Sequence, residues 1–171
     1  MPTALREQVN GRRLSSQSLG RIVHPSSKES FVSEQNKVLI AEFLDRVLSS
    51  GEISATGEYF HTDMVEEVPF PGQGPGLAGL KETLAALRTA FPDMRWSVQE
   101  QIAEDSRVLT RFVWKGTQRG DFLGMPPTDR AVSVWGMVID QFEGSKVKST
   151  RILMDTMSLM QQLGASPGAP E

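Results

Sequence analysis

Two stretches, RVLTRFVWKGTQ at residues 107–118 and AVSVWGMVIDQF at residues 131–142, decide how the rest of the chain must fold. In the first, Val108, Thr110, Phe112, Trp114, Gly116 and Gln118 share one face of a strand, and Leu109, Arg111, Val113 and Lys115 share the other. The second alternates in the same way. Between them lies RGDFLGMPPTDR, whose Gly120, Gly124 and Pro126–Pro127 exclude a central strand and force a compact loop. Two long antiparallel strands are the simplest result. Such a sheet must cover one face with something apolar, which the preceding residues have to supply.

Working outward, MRWSVQEQIAE (94–104) alternates Met94, Trp96 and Val98, and Glu104-Asp105-Ser106 turns it into the long pair. Glu143-Gly144-Ser145 turns the pair into a last strand, KVKSTRILMD. Upstream, Ser33 with Asn36 can cap a helix in which Val38, Leu39, Phe43, Leu44, Val47 and Leu48 recur at helical spacing until Ser49-Ser50-Gly51 stops it. A shorter helix fits Ile53 to Tyr59. MVEEVPFPGQGPG reads as a short strand ended by Pro69 and Pro71, and GLKETLAALRTA (79–90) as a helix ended before Pro92. Thr156 to Leu163 is too short for its pattern to decide helix from coil. Helices followed by a run of strands imply an α+β fold, a curved antiparallel sheet wrapped over helices.

At 171 residues the chain can bury a real core in one domain. Its net charge of −3 gives no reason to expect nucleic acid as a partner. With no cysteine, disulfides, thiolate metal sites and a cysteine nucleophile are excluded. No apolar run reaches membrane-spanning length, and no secretory h-region follows the start, so a cytoplasmic protein is expected. Residues 1–30 carry Arg6, Arg12, Arg13, Arg21 and Lys28 against Glu7 and Glu29, a net +3 that leaves −6 on the remainder. This basic, Ser-rich leader reads as a flexible or partner-docked arm, with organelle targeting as the alternative. The expected organisation is an extension at 1–32, a folded domain at 33–164 and a tail at 165–171.

The segments FHTDMVEEVP, GLAGLKE, FPDMRWSVQEQIAE, KGTQRGDFLGMPPT and LMDTMSLMQQLG, in that order, resemble the SnoaL-like polyketide cyclase family over nearly all of residues 34–164. The resemblance implies the cone-shaped α+β barrel of the nuclear-transport-factor-two-like superfamily, with a cavity between the concave sheet and about three helices. It also implies a homodimer or higher homo-oligomer paired through the convex sheet faces, where Leu109, Val113 and Trp135 are the apolar candidates. Relatives that close a ring by aldol chemistry use a His ending a G-T-H motif and an Asp after a Gly-hydrophobic pair. Those places hold Gln118 and, after Gly136-Met137, Val138.

Other ionisable groups are therefore candidates. Asp140 shares strand parity with Val138, about 7 Å further along; the alternative is a solvated strand-end Asp. Glu67 aligns with a position where relatives place a cavity-facing polar group, and parity sends one of Glu66 and Glu67 inward. His61 precedes the first strand, as a catalytic group or a surface cap; His24, the second of two histidines, lies in the leader. Arg151 faces either the cavity, as a partner for Glu67, Asp140 or an enolate oxygen, or solvent. Asp155 suits a cap or turn contact. Trp114, Trp96 and Phe112 are the aromatic candidates for the cavity wall, Trp114 foremost because it shares a face with Gln118. Gly72-Gln73-Gly74-Pro75-Gly76 lacks the features of a phosphate loop and suits a lid over the cone mouth.

Two functions fit. One is a cofactor-independent, metal-free enzyme, a cyclase, isomerase, dehydratase or epoxide-opening catalyst, acting on a hydrophobic small molecule through Glu67 or Asp140 with Gln118 as a polar partner, and with His61 as a further catalytic candidate. The other is a ligand-binding or association module that has lost the acid/base pair.

Overall fold

The computed structural model describes residues 27–165; the basic leader up to residue 26, with His24, and residues 166–171 lie outside it. The chain runs through α1 (Ser27–Phe43), a π-helical turn (Leu44–Ser49), a 3₁₀ turn (Ile53–Ala55), α2 (Thr56–Tyr59), β1 (Phe60–Glu66) and α3 (Gly76–Ala90). Four strands follow, β2 (Arg95–Glu104), β3 (Arg107–Thr117), β4 (Ala131–Glu143) and β5 (Lys146–Met154), and then α4 (Thr156–Leu163). Among the described residues no helix is long and apolar enough to cross a membrane.

The alternation read in the two long stretches is the alternation of burial. Val108, Thr110, Phe112, Trp114 and Gly116 on β3, and Val132, Val134, Gly136, Val138, Asp140 and Phe142 on β4, all face inward. The two strands pair antiparallel from Arg107↔Gln141 to Thr117↔Ala131. The sheet order is β1-β5-β4-β3-β2. The wall is therefore α+β as expected but mixed, because β1 runs parallel to β5, and the sheet stays open between its β1 and β2 edges. The connection from β1 back to β5 spans the whole sheet, which leaves room for a parallel edge.

Helix α1 begins upstream of the expected cap, so Ser33 lies inside it and its hydroxyl donates to the Asp105 carbonyl at 3.3 Å. The helix ends where the Ser-Ser-Gly signal put it. In the π turn Ser50 N–H donates to Asp45 O at 2.8 Å, and Gly51, at φ +85°, takes the left-handed exit open to glycine. Ile40, Phe43, Leu44, Val47 and Leu48 from this helix, with Leu80 and Leu84 from α3, cover the concave face of the sheet. The C-terminal segment is helical: Asp155 accepts from Ser158 N–H at 3.0 Å, as an N-cap should, and from Trp135 Nε1 at 3.0 Å. On the convex face Leu109 and Val113 are half-buried, while Trp135, Leu153 and Met157 are exposed.

Candidate active site

Three backbone ladders set one transverse row across the concave face. Glu66 of β1 pairs with Thr150 of β5, Thr150 pairs with Asp140 of β4, and Asp140 pairs with Val108 of β3. Two carboxyls thus flank one threonine, with backbones two strands or roughly 9–10 Å apart. Both open into a cavity of about 110 Å³. Its walls are otherwise almost wholly apolar: Phe43, Leu44 and Leu48 from the first helix, Leu84 and Leu87 from α3, and Trp96, Phe112 and Val138 from the sheet.

A charge in such surroundings loses its hydration, so the neutral acid is favoured. Asp140 is 3% exposed, and burial pushes its carboxyl from an ordinary 3.8 to about 7, with the Thr150 side chain pulling it down and the Glu66 charge pushing it up. Glu66 is half-buried and is also pushed up to about 7, chiefly by desolvation; the backbone N–H groups of Val68 and Ile152 oppose this and the Glu67 charge adds to it. Two acids poised near neutrality on one apolar cavity can exchange protons with a guest in either direction.

A groove of about 280 Å³ adjoins the cavity and shares Phe70, Gln73, Thr83 and Leu87 with it. The loop after β1 lines this groove with Phe70, Pro71, Gly72, Gln73 and Gly74. It is stapled by Gln73 N–H to Phe70 O at 2.9 Å and by Phe70 N–H to Gln73 Oε1 at 3.2 Å. Its Gly74 lies so close to Gly79 of α3 that a Cβ on Gly79 would overlap the Gly74 carbonyl.

The remaining candidates separate into those the cavity uses and those it does not. Asp140, Val138, Phe112 and Trp96 line it. Glu66, not Glu67, is the inward carboxylate of β1. Glu67 lies just beyond the strand on the outer side, paired with Arg151 (Nε to Oε2, 2.8 Å), and both are exposed. Period-two geometry sends Arg151 outward because its neighbour Thr150 faces in. His61 stands at the far end of β1, where Nε2 donates to the Glu143 carbonyl at 2.9 Å. Gln118 is fully buried but serves the loop of residues 119–130: its Nε2 donates to the Gly120, Met125 and Pro126 carbonyls at 3.1–3.3 Å, and its Oε1 accepts from Thr128 Oγ1 at 2.7 Å. Trp114 is buried beside the cavity rather than in its wall, stacked on Trp96 at 6.0 Å and edge-on to Phe91 at 5.1 Å.

Glu66 and Thr150 are the residues that sequence reasoning missed. A signal for Glu66 existed: Phe60 and Met64 share its parity, whereas His61, Asp63 and Glu67 share the other. Beginning the strand at Met64 instead of Phe60 hides it.

Comparison with curated proteins finds no match. Among solved structures the chain is similar to TsrD from Streptomyces laurentii, at 22% identity and a TM-score of 0.72 over 78% of this chain and 97% of that one. It is similar to a protein provisionally named a polyketide cyclase from Acidithiobacillus ferrooxidans, at 27% identity and a TM-score of 0.69 over 79% and 99%. A SnoaL-like polyketide cyclase from Agrobacterium tumefaciens matches at 21% identity and a TM-score of 0.63 over 75% and 98%. The family model for SnoaL-like polyketide cyclase matches residues 38–163, a span that takes in every strand, both long helices' cavity faces and the carboxylate row, and the chain belongs to that family.

Proposed function

We propose that the protein is a cofactor-independent acid/base catalyst acting on a hydrophobic ketone, with Glu66 and Asp140 as the proton-transfer pair. The single observation that carries this reading is the row Glu66–Thr150–Asp140, two carboxyls both pushed up to about 7 on one apolar cavity. Near neutral pH such a pair spends much of its time holding one proton between two sites. The charge resides on the half-exposed Glu66, where it is less costly, and the proton on the buried Asp140. Glu66 then removes a proton from the carbon beside the substrate carbonyl while Asp140 donates to the developing enolate oxygen. As the enol carbon attacks a second carbonyl of the same molecule and forms the ring bond, the first carbonyl re-forms and its O–H proton returns to Asp140, while the new alkoxide takes up the proton held by Glu66. Each role is worth about 10²–10⁴ in rate.

The similarity to a relative provisionally named a polyketide cyclase agrees with this chemistry. In this chain the acid stands two residues beyond Val138 on the same face of β4, so the proton-transfer centre is displaced along that strand by about 7 Å from where a residue at Val138 would set it. The second reading, a binder without turnover, draws on Gln118 and Val138 being non-ionisable. A homodimer through the convex face is part of the proposal, covering Trp135, Leu153 and Met157; a concentration-independent monomer in light scattering contradicts it.

The test is deuterium exchange at the methyl group of aryl methyl ketones, followed by NMR across pH. The expected result is acceleration that changes through neutral pH and falls about 10²–10⁴-fold in Glu66→Gln and in Asp140→Asn. Equal acceleration in both variants, with folding confirmed by circular dichroism, overturns the assignment. Binding without acceleration selects the second reading.

A further inference from the structure

Thr150 occupies the middle of the carboxylate row, and the packing of β5 does not account for its hydroxyl. It is buried at 5% exposure in a mostly apolar wall, where a valine of nearly the same shape would leave no polar atom to desolvate. Two other buried threonines have their hydroxyls engaged elsewhere: Thr56 Oγ1 donates to Ile53 O at 2.7 Å, and Thr110 Oγ1 accepts from Gln101 Nε2 at 3.1 Å. Beside Thr150 the paired residues are Glu66 on one strand and Asp140 on the other. Side chains on directly paired residues start about 5 Å apart, so one hydroxyl lies within reach of both carboxyls. Its place is fixed as well. Ladders hold it from both sides, Glu67 N–H donating to its carbonyl at 2.8 Å, and a β-branched side chain has few rotamers. The Thr150 side chain keeps the Asp140 carboxyl below the value that burial alone would give. On the other flank Val68 N–H donates to Glu66 Oε1 at 3.3 Å, which leaves acceptor sites on that carboxylate for a second donor.

We infer that Thr150 is the positioning residue of the pair, its hydroxyl accepting a hydrogen bond from protonated Asp140 and donating one to ionised Glu66. A hydroxyl has one proton to donate, so it cannot serve two carboxylates at once, and its bond to an anion is stronger than its bond to a neutral acid. The state it favours is therefore the one in which the pair holds a single proton. Giving its own proton to Glu66 leaves it only lone pairs to offer Asp140, which keeps the shared proton there. This deepens the proposed function, and rests on it only for what the pair then does to a ketone. Among the described residues, Glu66 and Asp140 are the titratable groups that line the cavity; the first helix and its π turn, α3, β2, β3, β5 and the loop after β1 present apolar or neutral side chains to it. Outside it, Glu67 adds its charge to Glu66 and is itself paired with Arg151.

The test is carbon-13 NMR titration of the two carboxyls in the full chain, in Thr150→Val and Thr150→Ala, and in Thr150→Ser. Favouring the one-proton state lowers the first apparent pKa of the pair and raises the second, so the hydroxyl holds the two steps apart. Valine keeps the bulk of the side chain and loses the hydroxyl, whereas serine keeps the hydroxyl and loses the methyl group. The expected result is that the steps lie about one to two pH units closer together in Thr150→Val and Thr150→Ala, and that Thr150→Ser keeps the wild-type separation. A threonine that serves packing alone would give the opposite order, with valine the mildest change. An unchanged separation in Thr150→Val and Thr150→Ala, with folding confirmed by circular dichroism, or equal narrowing in Thr150→Ser, overturns the inference. The titration needs no ketone, which separates the two claims. Narrowing in a chain that accelerates no exchange counts against the proposed function alone, and exchange dependent on Glu66 and Asp140 without narrowing counts against the Thr150 bridge alone.

Discussion

Replacing Asp140 by Asn removes one ionisation from the core and should change how stability depends on pH. From 3.8 to about 7, at about 1.4 kcal/mol for each pH unit, ionising Asp140 in the folded protein costs about 4 kcal/mol. The sign follows from proton binding. Below about 3.8 the folded and unfolded chains both hold this proton. Between 3.8 and about 7 the unfolded chain releases it and the folded chain keeps it, so stability falls as pH rises, and above about 7 the loss is complete. Glu66 contributes with the same sign from 4.5 to about 7, and being half-buried it contributes less than its burial alone suggests. Asparagine never ionises. Between about pH 5 and about pH 8 the wild-type chain should therefore lose about 2–3 kcal/mol more than Asp140→Asn does. Urea unfolding at the two pH values, with the slope against denaturant unchanged, measures the difference directly. Identical pH dependence in both proteins would refute the claim that Asp140 is held neutral by burial.

Three further outcomes follow from the geometry. Gln118→Leu leaves the Gly120, Met125 and Pro126 carbonyls without their donor, should cost about 2–3 kcal/mol, and should speed amide exchange across residues 119–130 ahead of the rest of the sheet. Gly136→Ala sets a methyl group 2.6 Å from Phe112 Cζ and 2.8 Å from the Leu153 carbonyl; the ring must move into the cavity, so thermal unfolding should show about 1–3 kcal/mol of destabilisation and ketone binding should weaken. Glu67→Gln removes an exposed ion pair with Arg151, and should change stability by less than about 1 kcal/mol and leave exchange activity intact.

The fold was legible because its deciding strands are long. Eleven residues of β3 and thirteen of β4 repeat the inward-outward pattern often enough to fix the buried face, and Gly51, Gly144 and the Pro-rich loop mark the turns. The parallel pairing of β1 was not legible, because period-two alternation does not encode strand direction. For the site, parity correctly set Asp140 on the face of Val138, yet nearness to the Glu143-Gly144 turn suggests a solvated side chain. The structure buries it because β4 continues past it to Glu143 and the first helix lies over that end of the sheet. Glu66 and Glu67 show the opposite difficulty. Adjacent identical residues leave only the phase of the strand to separate them, and that phase is set by Phe60 and Met64 entering the core. Gln118 faces inward as its parity implies but meets the Gly120, Met125 and Pro126 carbonyls, because strand parity reports that a side chain faces inward, not what it meets there.

Carbon-13 NMR titration of the Glu66 and Asp140 carboxyls, assigned through Glu66→Gln and Asp140→Asn, tests most directly whether this cavity holds acids poised for proton transfer. The account predicts that the pair titrates near pH 7 and that removing either member shifts the other. Both carboxyls titrating at the ordinary values of about 4, independently of each other, would contradict it.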